Sequence, residues 1–441
     1  MVQSSFISTI LPMIGLILAF IIVIYLIRKK FHFGLSLLIG SIILGIFSLG
    51  NIGVSDIAKA ILRAIIYDVN TGTATFQTIE LALLMILIFL LAKTMKDLGA
   101  IDQLIISLKT IFSHTVTIGI IPAIYGLMPV PGGALFSAPM VEKEGKIIGL
   151  NKDQSNFVNV WFRHIWFPIY PISSAMILIC SKDFTGLSYD IELYHIMAAN
   201  IPSFLFFIII GYFFLNRFLG KRVKKTRSKE KDISGLIFLL IPTIPLIFYV
   251  FLYALSIIFP VISVPEYQNK VFIIGLIFSF LVLFLISKQS IIVYLKILRK
   301  DFSVHIAFAI FGIIIFREMF DTAQVNVILA EIIQNLPFPP LIIIILIPTV
   351  LGVITGYNLG AVALSYVLIK PFFDVTGISI IGLTSIVFMS AFIGYLISPI
   401  HLCNVVSSDH FKTDTTRMYK IYIPSALVIL FIQTFFIITL Y

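Results

Sequence analysis

Asn156, Asn159 and Arg163 stand at i, i+3 and i+7 in an apolar run, so a helix carries all three on one face. A guanidinium flanked by amides offers an anion positive charge and several N–H donors. Arg163 falls about eight residues, or about 12 Å at 1.5 Å per residue, inside the start of its run. An arginine at a bilayer centre costs about 2.5–3.5 kcal/mol, so it is expected to face a cavity or a partner. No acidic residue stands in a span core to pair with it. Two readings stay open: the guanidinium snorkels back to the headgroups, or it helps hold an anionic substrate. His164 points to the neighbouring face, either as a packed interfacial ring or as a proton carrier.

Pro168 and Pro171 break the helix just beyond this cluster, and Ser173 and Ser174 follow. A second break, Ser398-Pro399-Ile400-His401-Leu402-Cys403-Asn404, spaces Ser398, His401 and Asn404 at intervals of three, with Ser390 and Gly394 extending the face. Such a stripe serves either a polar site or ordinary helix packing in a membrane.

Two further broken stretches could position these residues. Ile121-Pro122-Ala123-Ile124-Tyr125-Gly126 and Ile347-Pro348-Thr349-Val350-Leu351-Gly352 match in type and order. Gly133-Ala134 and Gly360-Ala361 follow them, with the offset between copies changed by one residue. Each stretch, 115–141 and 338–369, is expected to be a re-entrant hairpin. The tips fall at Pro129, Pro131, Gly132 and Gly133, and at Gly356 and Gly360 with Asn358 between them. Non-helical backbone inside a bilayer survives only where protein or a water-filled cavity covers it, so paired breaks point to a binding site. Helix N-termini there favour an anion, and freed carbonyls could hold sodium.

The 441 residues are 59% hydrophobic and 12% charged, against about 25% charged in a soluble domain. The fold class expected is an all-α polytopic membrane protein in contact with the lipid bilayer. Apolar runs at about 7–27, 33–49, 77–92, 155–180, 195–216, 234–260, 270–287, 303–316, 380–405 and 421–440 give about ten spans at roughly 20 residues each. The first reads as a retained span, lacking a basic leader and a small-residue cleavage site. The segments at about 54–67 and 289–300 mix charge with apolar residues and suit interfacial helices. Cys180 and Cys403 lie in or at the end of apolar segments, imply no disulfide framework and read as packing residues. The net charge of +10 marks topology rather than nucleic-acid binding, because most basic residues sit in short loops between apolar runs.

With the N-terminus outside, the basic loops, including the run from Arg217 to Lys231, fall in the cytoplasm. Of 31 lysines and arginines, only Lys59, Arg63, Lys182, Lys270, Arg317 and Lys370 fall outside, and Arg163 lies within a span. Treating either hairpin as a full crossing destroys that asymmetry. The expected domains are a first repeat, 1–218, a basic cytoplasmic linker, 219–233, and a second repeat, 234–441. Five crossings per half turn the second repeat upside down relative to the first, so the hairpins open from opposite sides and both termini lie outside. At the Pro171/Pro399 register, Arg163 aligns with Ala391, His164 with Phe392 and Ser173 with His401.

The stretches Gly126-Leu127-Met128-Pro129-Val130-Pro131-Gly132-Gly133-Ala134, Asn159-Val160-Trp161-Phe162-Arg163-His164 and Ser398-Pro399-Ile400-His401-Leu402-Cys403 carry a wider resemblance. The chain resembles the ion transporter superfamily, related to gluconate permeases and divalent anion:sodium symporters, and is most like an uncharacterised integral-membrane family within it. That resemblance implies two inverted repeats, each with a scaffold part and a transport part, usually as a homodimer. The symporters' Ser-Asn-Thr signature is replaced by Pro131-Gly132-Gly133 and Tyr357-Asn358-Leu359.

The function expected is a secondary active transporter of a small anion, an organic carboxylate, in the cell membrane, with sodium or proton coupling and no other cofactor. The expected binding set is Asn159, Arg163, His164, Ser173, Ser174, Asn358, Ser398, His401 and Asn404. Zinc-protease, nucleophile-elbow and phosphate-loop motifs are absent from the sequence, so no enzyme or dedicated metal site is assigned. A cation/proton antiporter and, more distantly, a membrane enzyme acting on lipid are the alternatives.

Overall fold

Helix boundaries follow local chemistry even in so apolar a chain. The computed structural model describes residues 2–68, 73–74, 76–127, 133–185, 191–219, 231–259, 267–333 and 338–441. The first hairpin tip, with Pro129, Pro131 and Gly132, and most of the basic linker lie outside the described residues.

The first half holds α1 (Val2–Arg28), α2 (Phe33–Phe47), α3 (Val54–Ile65), α4 (Gln77–Asp97), α5 (Ala100–Ile111) and α6 (His114–Gly126). It continues through α7 (Ala134–Ile148), α8 (Lys152–Arg163), α9 (Ser174–Cys180), α10 (Lys182–Thr185), α11 (Leu193–Ala199) and α12 (Ile201–Leu219). The second half holds α13 (Ile244–Ile258), α14 (Gln268–Ser287), α15 (Ile291–Asp301), α16 (His305–Thr322), α17 (Val325–Ile333) and α18 (Pro340–Thr355). It closes with α19 (Asn358–Ile369), α20 (Ile380–Leu396), α21 (Leu402–Phe411) and α22 (Thr415–Leu440). Besides these helices, Tyr67–Asp68 pairs antiparallel with Thr73–Ala74.

Among the described residues, seven helical segments are long and apolar enough to cross a membrane, or eight if the bent pair α15–α16 is one span. The expected run at 155–180 is α8 and α9 separated by turns, because Pro168 and Pro171 cannot donate to a helical ladder. The run at 380–405 divides in the same way into α20 and α21 around Pro399. The run at 195–216 divides at Asn200, and that at 303–316 continues to Thr322. The segments expected at the interface form α3 and α15, and α5 and α17 lie outside the ten expected spans.

Capping sets several starts. Asn151 Oδ1 accepts from Gln154 N at 2.8 Å while Gln154 Oε1 accepts from Asn151 N at 2.9 Å, a capping box that opens α8. Ser173 caps α9 by accepting from Met176 N at 3.2 Å. Gly356, at φ +58°, ends α18 in the left-handed region that glycine tolerates.

Packing recurs between the halves. α1 lies on α2 as α13 lies on α14; α3 lies on α16 as α15 lies on α4; α7 lies on α21 as α19 lies on α9. The α6–α8 and α18–α20 pairs approach through glycine. A methyl on Gly126 would overlap the Arg163 carbonyl oxygen, and one on Gly352 would crowd the Ala391 carbonyl oxygen. These are equivalent contacts under the register that aligns Arg163 with Ala391.

Candidate functional site

The breaks after α8 and α20 meet inside the protein. The His164 and His401 ring centroids lie 4.9 Å apart, and Phe167 stacks on Phe392 at 5.2 Å. Each break would leave carbonyls without helical partners, and an asparagine covers them in both. Asn200 Nδ2 donates to Pro168 O at 2.8 Å. Asn404 Nδ2 donates to Leu396 O at 3.0 Å and to Ser398 O at 3.3 Å. Asn200 belongs to a wider buried network: Ser385 Oγ donates to Asn200 Oδ1 at 2.7 Å and Gln433 Nε2 to Ser385 Oγ at 2.8 Å. Sequence reasoning passed over Asn200, Ser385 and Gln433, although amides inside apolar runs are the available signal.

Arg163 ends α8 and is only 3% exposed. Its Nη1 donates to Tyr125 O at 2.6 Å, at the end of α6. The guanidinium lies against Gly133, where a β-carbon would overlap it. The side chain therefore turns inward between α6 and α7, instead of running out along its own helix. The second tip touches the second break likewise: a β-carbon on Gly356 would crowd Ile400. Gly360 lies against Phe33 of α2.

The chain matches the family described as "Protein of unknown function (DUF401)" over residues 13–439. It belongs to the DUF401 family. No curated protein matches it.

In this DUF401 protein the expected binding residues divide by what their polar atoms do. Asn159 is saturated: Oδ1 accepts from Ser137 Oγ at 2.6 Å, and Nδ2 donates to Ala134 O at 3.0 Å and Ser407 Oγ at 2.8 Å. Asn156 continues the clamp by accepting from Ser407 Oγ at 2.6 Å and donating to Thr413 Oγ1 at 2.9 Å. Together they tie α7 and α8 to α21. Ser398 Oγ donates to Val353 O at 2.7 Å, Ser173 is a cap, and Ser174 opens α9 half-buried.

Other polar atoms are buried without hydrogen-bond partners. Among the expected binding residues they are His164 Nε2, both ring nitrogens of His401, Asn358 Oδ1 and Asn404 Oδ1; atoms elsewhere, such as His32 Nδ1 and Thr434 Oγ1, share that state. An unsatisfied buried group costs about 1–3 kcal/mol, so a concentration of them at one place marks a site kept for something other than packing. His164, His401 and Cys403 offer three ligand atoms all within 4.8 Å of one another. Cys403 is buried, as the packing reading expects, and it also stands beside both histidines. A separate cavity of about 350 Å³ is lined by Arg317, Asp321, Lys370 and Asp374 among others, and its lining does not include Arg163.

Proposed function

We propose that this DUF401 protein is a secondary active transporter that moves a small anion, an organic carboxylate, by alternating access coupled to sodium or protons. The observation that carries this reading is the inward-turned Arg163, buried at a helix break and pressed against Gly133 at the start of α7. A guanidinium beside the positive end of a helix, inside an apolar body, suits an anionic group that has left water. Asn358 Oδ1 lacks a partner, and as an acceptor it suits a coupling cation rather than the anion itself.

The mechanism asks for two inverted repeats with about ten spans, α6–α7 and α18–α19 being re-entrant hairpins that enter from opposite faces. Recurrent packing between the halves supports this, as does the equivalent glycine approach at Gly126–Arg163 and Gly352–Ala391. The hairpin reading takes α19 as a returning limb, although with the 3-10 turn after it, it is long enough to cross. Both termini then lie outside. A rocking of one packed body against the other exposes the Arg163 region to each side in turn.

The test is uptake by proteoliposomes holding the purified chain, offered organic and inorganic anions under imposed sodium or proton gradients. Concentrative uptake of a carboxylate, reduced at least about ten-fold in Arg163→Ala, is expected from the loss of a charged hydrogen-bond donor. Equal uptake by Arg163→Ala would refute the assignment. Proton-driven cation flux would favour an antiporter, and lipid turnover without flux an enzyme.

A further inference from the structure

We infer that His164, His401 and Cys403 form a binding site for one thiophilic late-transition-metal ion, Zn(II) or Cu(I). All three residues are nearly inaccessible, at 0%, 1% and 4% exposure, and their ligand atoms converge within 4.8 Å. At zinc bond lengths near 2.1 Å for nitrogen and 2.3 Å for sulfur, ligand atoms stand about 3.5 Å apart. Closing the set by about 1 Å needs only small side-chain rotations.

The protonation pattern of His164 follows from its surroundings. Its Nδ1 lies 2.7 Å from Val160 O, and a carbonyl only accepts, so Nδ1 carries the hydrogen. The lone pair is then on Nε2, the nitrogen left to face the Cys403 thiol. A ligating imidazole whose other nitrogen donates to a backbone carbonyl is the usual arrangement around a metal. The His401 ring makes no hydrogen bond of ordinary length; one ring nitrogen faces the Leu396 carbonyl, which leaves the other to ligate. A buried imidazole without a full-strength hydrogen bond is otherwise a costly core residue.

The donor set selects the ion. Thiolate and imidazole suit Zn(II) and Cu(I), whereas calcium and magnesium require oxygen ligands. On binding, the Cys403 S–H bond breaks, the sulfur–metal bond forms, one proton leaves and no electron moves. A thiolate also offsets the charge that would otherwise accumulate beside Arg163, one of the groups acting on Cys403. The three residues come from the two helix breaks, so the ion would pin α8 to α21 where they cross. This assigns His401 to the ion rather than directly to the anion, and it stands whether or not the protein transports one.

The full chain should be expressed with zinc or copper supplied during growth, because a site this enclosed loads best during folding. After purification in detergent and dialysis against chelator, metal analysis should find one ion per chain, with the two growth regimes separating zinc from copper. Cys403→Ser and His401→Gln should each reduce retention at least about ten-fold, while Cys180→Ser should leave it unchanged. Cobalt-grown wild-type protein should show a thiolate-to-cobalt charge-transfer band, a readout that needs no variant to fold. Absence of the band excludes the zinc form, and wild-type retention of zinc and of copper no higher than that of Cys403→Ser overturns the site.

Discussion

His164 and His401 meet edge to face, with their planes 72° apart, and through them the two broken helices of the protein touch. Tyr395 closes the cluster, its ring centroid 4.0 Å from that of His401. The same region receives Arg163 with Gly133, and Gly356 through Ile400. Several consequences can be measured.

Gly126 and Gly133 border the same arginine but should fail differently when changed to alanine. The new methyl at Gly126 meets the Arg163 backbone, so α6 must move off α8, at a cost of about 1–3 kcal/mol. At Gly133, in ordinary right-handed helical backbone, the methyl meets only the flexible guanidinium. Gly126→Ala should lower the melting temperature in detergent. Gly133→Ala should melt near the wild-type temperature and lose uptake at least about ten-fold, since the charged donors are displaced.

Asn159→Ala tests clamp against contact. It leaves the Ala134 carbonyl and two serine hydroxyls short of a partner, at a cost of about 1–3 kcal/mol for the worst-placed of them. The melting temperature should fall while the KM of the remaining uptake stays at its wild-type value. A raised KM with unchanged melting would return Asn159 to the substrate.

Glu142 joins α7 to α21 through His410 Nε2 at 3.0 Å and also accepts from Lys146. The Lys146 hydrogen bond foremost, with His410 adding to it, holds the Glu142 carboxyl below its ordinary value of 4.5. A carboxylate lowered on folding contributes stability above that ordinary value and loses it as pH falls through the lowered one. The melting-temperature gap between wild type and Glu142→Gln should be open at neutral pH and close in acid.

The proposed orientation rests on the charge asymmetry. Single cysteines at Lys30 and Lys288 should be shielded from an impermeant maleimide in intact cells, and those at Lys59 and Lys270 should react. Cys180 and Cys403 are buried and should give little background. Lys30 and Lys288 reacting while Lys59 stays protected would reverse the topology.

Much of this arrangement could be read from residue order alone. Apolar runs announce a membrane protein, and Pro168, Pro171, Pro399 and Gly356 announce where helices stop, because hydropathy, a missing N–H and a left-handed φ are properties of single residues and their neighbours. Asn151 with Gln154 marks a helix start for the same reason. Gly126 and Gly352 hold matching places in the two broken stretches; that they meet the Arg163 and Ala391 carbonyls appears only in the fold.

What spacing could not supply was the state of each polar atom. Asn159 and Asn404 look alike in a polar stripe, yet Asn159 is fully engaged and Asn404 keeps a free oxygen. The partner that saturates Asn159 lies 248 residues away. Cys403 reads as packing until the chain folds and brings His164 beside it. Hydrogen bonding and ligand geometry act over about 3 Å, so only the folded chain settles which groups are spent on holding the fold and which stay available.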